Sequence, residues 1–242
     1  MLNLTVNCNP AIRLAHQGHH VTLSDISSAE LEVAKSNAVA SGTVLAAIVV
    51  TDACHMGACP EIYRSNHFDI VLCLGPLYHL LHLPERQRIL RDLTYITKPD
   101  GYLLCAFVTI FAHLRDVAKK DPSRLYRETS FYTGYLETGV YNRGVMPMHH
   151  SQLGEIKQLF ADLNGRDGSG EGKARVCLTI ERIVGTESFL AGKMDEQLRK
   201  LTEHEFQEWV SVSLKFAENE EIAGSADHVL VVVKKSRQVN TE

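Results

Sequence analysis

Residues 20–28 read HVTLSDISS, and the reading of the fold starts there. Val21 and Leu23 alternate with Thr22 and Ser24, the two-residue period of a short strand. Asp25 ends the apolar pattern. Ser27, with Glu30 three residues on, spells a capping box, and Leu31, Val33, Ala34 and Ala38 continue a helix from it. A carboxylate thus stands just past a strand's C-terminal end, beside a helix start. In an open α/β sheet that is the edge where ligands bind. An acid there can accept both hydroxyls of a ribose. It can equally serve as a turn residue or a helix cap.

The same arrangement repeats downstream. Residues 44–50 (VLAAIVV) form a continuous apolar run, the mark of a strand covered on both faces, and Thr51-Asp52 follows. Residues 68–74 (FDIVLCL) predict another buried strand, ending at Gly75-Pro76. Pro84 opens a helix with Ile89, Leu90, Leu93 and Ile96 at helical spacing. Pro99-Asp100-Gly101 reads as a turn, and residues 102–108 as a fifth strand. Upstream, residues 1–6 alternate as a very short first strand. Asn9 and Pro10 then start a brief helix that closes at Gly18. Strands alternating with helices predict parallel βαβ units.

Past residue 108 the pattern loosens. Tyr126, Tyr132, Tyr135 and Tyr141 lie in a stretch read as helix and loop over the ligand edge. Ser151 reads as the cap of a helix carrying Leu153, Ile156, Leu159, Phe160 and Leu163. Residues 164–173 (NGRDGSGEGK) predict a Gly-rich turn. Residues 175–184 fit a strand, residues 187–221 are mostly helical, and residues 229–233 are a last strand. The expected architecture is α/β: a doubly wound, mostly parallel, Rossmann-like sheet with an antiparallel edge strand and a helical insertion. Residues 1–236 are expected to form one domain, with substrate-side insertions at 109–150 and 185–221. Residues 237–242 are expected to be a disordered tail.

The chain has 242 residues, 22% of them charged, and a net charge of −4 with histidine neutral. That balance argues against nucleic-acid binding driven by phosphate neutralisation. No apolar run reaches the roughly 20 residues that a membrane helix needs. The six cysteines are scattered, and Cys73 and Cys105 sit within strand-like apolar runs. Scattered cysteines are not a disulfide framework, so a reducing, cytoplasmic setting is expected.

The order and spacing of QGHHVTLSDIS (residues 17–27), TDA (51–53), FDIVLCLGPLYHL (68–80) and LRDLTYITKPDGYLL (90–104) resemble class I S-adenosylmethionine-dependent methyltransferases of the small-molecule type. The closing SADHVLVVVKK also looks like that family's last strand. The resemblance implies S-adenosylmethionine as cofactor and a small-molecule methyl acceptor, with transfer to an O, N or S atom. It makes Asp25 the acid on the ribose hydroxyls and Ile26 the apolar residue on adenine. It gives Asp52 the adenine amino group and Ala53 backbone contacts beside it. Leu74 and Gly75 match the strand end near the methionine part. Tyr78 and His79 follow in the substrate-facing segment, where partial burial of both rings is the competing reading. Tyr141 and Arg143 are candidate substrate residues, and His79 and His149 candidate proton acceptors. A solvated pair before a helix is the competing reading of His149-His150.

One part of the family pattern is missing. A Gly-rich loop after the first strand lets backbone approach the cofactor. Here that place reads Val6-Asn7-Cys8-Asn9-Pro10, without glycine, and Asn3 or Asn7 replaces the usual acid. Counted back from Asp25, the segment also looks several residues short. Weakened cofactor binding is therefore expected. Two explanations stay open: altered N-terminal coding, giving a truncated product, or a fold that has kept only a binding or cyclase-like role. Cys54-His55 with Cys59 lacks the paired spacing of a structural zinc site, so no metal is expected. No G-x-S-x-G elbow supports hydrolase chemistry.

Overall fold

The computed structural model describes residues 1–4, 9–164, 177–192 and 198–236. The chain runs β1 (Leu2–Leu4), α1 (Asn9–His16), β2 (Thr22–Asp25), α2 (Ser28–Ala40), β3 (Ala47–Val50), β4 (Phe68–Cys73), α3 (Pro76–His79), α4 (Leu83–Ile96) and β5 (Thr97–Val108). It continues α5 (Ile110–Lys120), α6 (Arg124–Arg127), α7 (Thr129–Thr138), β6 (Val140–Tyr141), β7 (Met148–His149), α8 (Leu153–Ala161), β8 (Cys177–Gly185), α9 (Glu203–Phe216), α10 (Glu220–Ser225) and β9 (His228–Ser236). Seven strands make one sheet in the order β3-β2-β1-β4-β5-β9-β8. The first five are mutually parallel, and β9 and β8 continue the sheet antiparallel. The short strands β6 and β7 pair separately.

Helices cover both faces of the sheet. Leu2 and Leu4 of β1 face the larger core, with Ile89, Leu93, Ile156 and Phe160 of α4 and α8. Leu23 of β2 faces the other way, onto Ala11, Leu31 and Ala34 of α1 and α2. Asn3 is opposite Leu23 across the strand pair and shares that second face. It is fully buried, and neither side-chain amide atom has a hydrogen-bond partner among the described residues. The first strand, read as very short, is three residues long and occupies the sheet centre between β2 and β4. Residues 5–8, which hold most of the expected cofactor loop, lie outside the described residues, as do most of the Gly-rich 164–173 stretch and the expected 237–242 tail.

Several local expectations need correction. Residues 44–50 do not form a strand buried on both faces: β3 covers only Ala47–Val50 and is the sheet edge, with Val50 58% exposed. Pro99-Asp100-Gly101 is not a turn between elements but an irregularity inside β5, where pairing with β4 shifts between Phe68 and Ile70. Asp100 takes φ 64°, and a Cβ on Gly101 would stand 2.7 Å from the Asp69 carbonyl oxygen, so only glycine fits there. Ser151 does not cap α8. It bridges to Thr109 beyond the end of β5, and Gln152 holds the cap position. The capping box at Ser27 is half formed: its hydroxyl accepts from Glu30 N, but its own N–H donates to Asp25 Oδ1 at 2.8 Å. The mostly helical reading of residues 187–221 agrees with α9, the start of α10 and two short 3₁₀ turns before them among the described residues.

Cys73 and Cys105 lie in strands, as their apolar runs suggested. Cys73 and Cys105 are cross-strand neighbours on β4 and β5, both buried and free. Burial pushes the Cys73 thiol up to about 12, which makes it a small hydrophobe rather than a nucleophile. Among the described residues no helix is long and apolar enough to cross a membrane.

Glu187 and His228 fasten β9 to the segment after β8. Glu187 accepts from the His228 backbone N–H at 2.9 Å and pairs with its ring at 2.6 Å. The Glu187 contact raises the His228 ring above its usual value against the effect of burial. Burial opposes ionisation of Glu187, yet its bonds to His228 win and hold the carboxyl at about 2. A raised imidazole stabilises below its unfolded value of 6.5 and loses that contribution as pH climbs through its folded value. A depressed carboxyl stabilises above 4.5 and loses that contribution as pH falls toward 2. The pair's contribution is therefore largest between pH 4.5 and 6.5. Thermal melts of the wild type and Glu187→Gln across pH 3–9 check this. The gap between the two Tm curves should be widest in that window, and a constant gap would refute it.

Candidate functional site

In this strand order the chain reverses direction of travel between β1 and β4, and ligands of open α/β sheets bind at such a switch point. A cavity of about 450 Å³ opens there, at the C-terminal ends of β1 to β4. That volume is in the range of small-molecule pockets. Of the residues expected from sequence, Asp25, Ile26, Asp52, Ala53, Gly75 and His79 all line it. Asp25, Ile26, Asp52, Ala53 and Gly75 close or follow strands and His79 ends α3, the short helix after β4, which is why chain-distant residues meet. Leu74 is adjacent: its N–H donates to the Leu4 carbonyl at 2.8 Å, extending the β1–β4 pairing toward the cavity.

The chemistry of the cavity is uneven. Asp25 uses one oxygen on Ser27 N–H, so the turn reading and the cavity-lining reading both hold for it, while Ser27 is the helix cap. Asp52 accepts from Cys54 N–H at 2.8 Å and pairs with His55 Nδ1 at 2.9 Å. Burial works against its ionisation, but those two bonds outweigh it and hold the carboxyl below its ordinary value. Ile26 is 69% exposed at the cavity, an apolar side chain that the protein leaves uncovered. Two acceptors on neighbouring strand ends with an uncovered apolar residue between them suit the hydroxyls, amino group and flat face of a nucleoside. Among the lining residues not expected from sequence are Ser24, whose hydroxyl bonds Tyr63 at 2.7 Å, and Leu80, Ile89 and Met146. Ser24 precedes Asp25 and was within reach of the pattern, whereas Met146 lies in a stretch without periodicity.

The remaining expected residues lie elsewhere. The Tyr78 hydroxyl donates to the Leu74 carbonyl at 3.1 Å, and its ring leans on His79 at 4.8 Å. Tyr141 joins an aromatic cluster with Phe131, Tyr132 and Tyr135 around His113. Its hydroxyl accepts from Arg124. Arg143 pairs with Glu128 and lies over the Phe131 ring at 3.9 Å. The solvated reading of His149-His150 is excluded, since both are buried. His150 Nδ1 bonds the Tyr135 hydroxyl at 3.0 Å, and burial, with His113 and His149 nearby, lowers its pKa to about 4. His149 lines a separate cleft, with Nε2 2.6 Å from Glu155 Oε1. No group of metal-ligating side chains occurs among the described residues.

Residues 6–105 match the profile described as "Methyltransferase domain". The "Ubiquinone biosynthesis O-methyltransferase" of Vibrio cholerae is 31% identical over 178 residues, 66% of this chain and 69% of the relative. A solved S-adenosylmethionine-dependent methyltransferase from Methanosarcina mazei superposes with a TM-score of 0.57 at 17% identity, covering 98% of this chain and 92% of that one. Magnesium protoporphyrin IX methyltransferase from Synechocystis, solved with S-adenosylmethionine bound, has a TM-score of 0.50 at 14% identity over 97% of this chain and 69% of that one. The chain belongs to the class I S-adenosylmethionine-dependent methyltransferases. Its cofactor is S-adenosylmethionine.

Proposed function

We propose that this protein transfers the methyl group of S-adenosylmethionine to a hydroxyl oxygen of a small molecule in the cytoplasm, from one domain spanning residues 1–236. The carrying observation is that Asp25, Ile26, Asp52, Ala53, Gly75 and His79 converge on one cavity at the switch point. The O-methyltransferase relative supports oxygen as the acceptor atom. Asp25 accepts the ribose hydroxyls, Ile26 packs on the adenine face, and Asp52 accepts the adenine amino hydrogens beside the Ala53 backbone. Leu74 and Gly75 shape the turn at the methionine end. When bound, the cofactor supplies an electrophilic methyl carbon on a positively charged sulfur. The protein's task is then to bind, orient and exclude water, an alignment effect. His79 and His149 are the candidates for the acceptor's proton, with Tyr78, Tyr141 and Arg143 on the acceptor side.

Calorimetric titration of the purified protein with S-adenosylmethionine tests this reading, and heatless mixing in a folded sample would end it. In Asp25→Ala the dissociation constant should rise about 10- to 100-fold, as charge-assisted hydrogen bonds to the ribose are lost. An unchanged constant removes Asp25 from the ribose.

Affinity of the unaltered chain is expected to be low, because residues 5–8 supply no glycine for close backbone approach. Each missing hydrogen bond is worth about 0.5–1.5 kcal/mol. The Tm should therefore move little at micromolar cofactor. A large shift there would mean that the Asn-rich turn is a full substitute.

A further inference from the structure

Behind Asp25 and Asp52 runs a buried chain of polar groups. Ser24, the residue before Asp25, is fully buried and lines the cavity. Its hydroxyl donates to the Val49 carbonyl at 3.2 Å and lies 2.7 Å from the Tyr63 hydroxyl. A serine has one hydroxyl hydrogen, and Val49 takes it, so Tyr63 is the donor in the second bond. Tyr63 is buried, and its side chain belongs to the larger core. The chain of bonds thus runs from that core, through the strand end that carries Asp25, to β3, three residues before Asp52.

The strand that leads to Asp52 needs such a tie. Among the described residues β3 pairs with β2 alone. Beyond that pairing, its end is held by the Thr51 N–H on the Asp25 carbonyl at 2.9 Å and by the Ser24 hydroxyl on Val49. The segment after β3 leaves the sheet and comes back to it. Asp52 caps the short 3₁₀ turn at residues 53–58, the Tyr63 N–H donates to the Cys59 carbonyl at 3.0 Å, and the Tyr63 hydroxyl closes the loop on Ser24. Another tie on this loop, from Arg88 to the Cys54 carbonyl at 3.0 Å, is exposed. Water competes for an exposed bond, whereas the Tyr63–Ser24 bond is shielded from it. An apolar pair would fill the same space without the cost of burying two hydroxyls. What the polar pair adds is a directional link between the two strand ends.

We propose that Tyr63 is a positioning residue for the nucleoside: it fixes Asp25 and Asp52 relative to each other and so sets the preference for a ribose and for an amino-bearing base. The proposal rests on the nucleoside reading of the cavity and deepens it. Tyr63 is not among the residues that line the cavity, so its influence passes through Ser24. Asp25 already gives Oδ1 to the Ser27 N–H, which leaves Oδ2 for the ligand. The direction of that oxygen follows the backbone at the end of β2, where Ser24 is tied. Hydrogen bonds weaken steeply once distance and angle depart from their optimum. Loosening the tie therefore costs recognition of particular hydroxyl and amino groups more than it costs apolar contact with Ile26.

NMR titration of the full chain with adenosine, 2′-deoxyadenosine and inosine tests this. In the wild type, adenosine should bind about tenfold tighter than either analogue, the worth of one charge-assisted hydrogen bond. In Tyr63→Phe both ratios should shrink to about twofold, because the acids remain but are no longer held in place. A tyrosine that only supports the fold would weaken all three nucleosides by one common factor. Unchanged ratios in Tyr63→Phe, or a wild type without the preferences, overturn the proposal. Ser24→Ala removes the acceptor of the same bond and should shrink the ratios equally. The double variant should lose no more than either single one, since the two hydroxyls act as a unit, and additive losses overturn the proposal as well. Calorimetry with S-adenosylmethionine runs alongside. If the wild type binds cofactor and adenosine but the ratios ignore Tyr63→Phe, the positioning role fails alone. If the wild type binds neither, the methyl-transfer reading fails.

Discussion

Arg86→Leu is expected to destabilise the fold by about 3 kcal/mol or more. The guanidinium is buried and satisfies two backbone carbonyls and one carboxylate oxygen at once. Leucine fills part of the space and leaves all three acceptors without their donor. Glu155 is 35% exposed, so water relieves some of its cost, which keeps the expectation at the lower end of the range for broken buried pairs. Urea denaturation gives the number directly. A second effect separates this site from generic packing: the wall that Leu80 and Leu81 form between cavity and cleft loses its common anchor. A drop under about 1 kcal/mol, the worth of a single ordinary hydrogen bond, would show that the wall holds without the arginine.

Gly139→Ala should cost about 3 kcal/mol, by a different route. Gly139 closes α7 at φ +68°, and a Cβ there would stand 2.1 Å from the His150 carbonyl oxygen and 3.2 Å from His149 Cε1. The left-handed conformation alone costs an L-residue about 1–2 kcal/mol. The overlap with backbone cannot be relieved by a side-chain rotation, so the chain must move, at about 1–3 kcal/mol. The His150 N–H donates to the Gly139 carbonyl at 2.8 Å, so the movement is transmitted to the histidine pair. Thermal denaturation checks the stability. A Tm indistinguishable from that of the wild type would mean that the loop yields freely.

The parts legible in the sequence are those whose signal is local. Asp25 and Asp52 were legible because an acid after an apolar run marks the end of a strand, and both line the cavity. The five parallel strands followed from alternation of apolar runs with helical spacing. The edge position of β3 was not legible, because an apolar run carries no information about which neighbour is missing. Nor was the irregularity at Asp100, since Pro-Asp-Gly favours a turn in isolation and only the β4 pairing keeps the strand going. The cleft was less accessible still. Arg86 and Glu155 are 69 positions apart, and nothing near either one reports the other. The aromatic composition of residues 111–148 was plain, but not the direction it faces. Tyr132 and Tyr135 turn inward onto His113, and of that stretch Met146 reaches the cavity.

The strand order also constrains the sequence of events during synthesis. β9 sits between β5 and β8, so β8 has no hydrogen-bonded neighbour in the sheet, and β5 has an open flank, until residue 236 has been made. For that interval the growing chain carries two unpaired strand edges, β5 being twelve residues long, and such edges recruit other strands. Lys235 then fastens the last strand, its ammonium reaching Asn66 Oδ1 and the Thr94 and Thr97 carbonyls. A ribosome stalled a few codons early would therefore hold a nascent chain that has its cavity edge already laid out by β1 to β4, yet remains open to pairing with its neighbours on the same message.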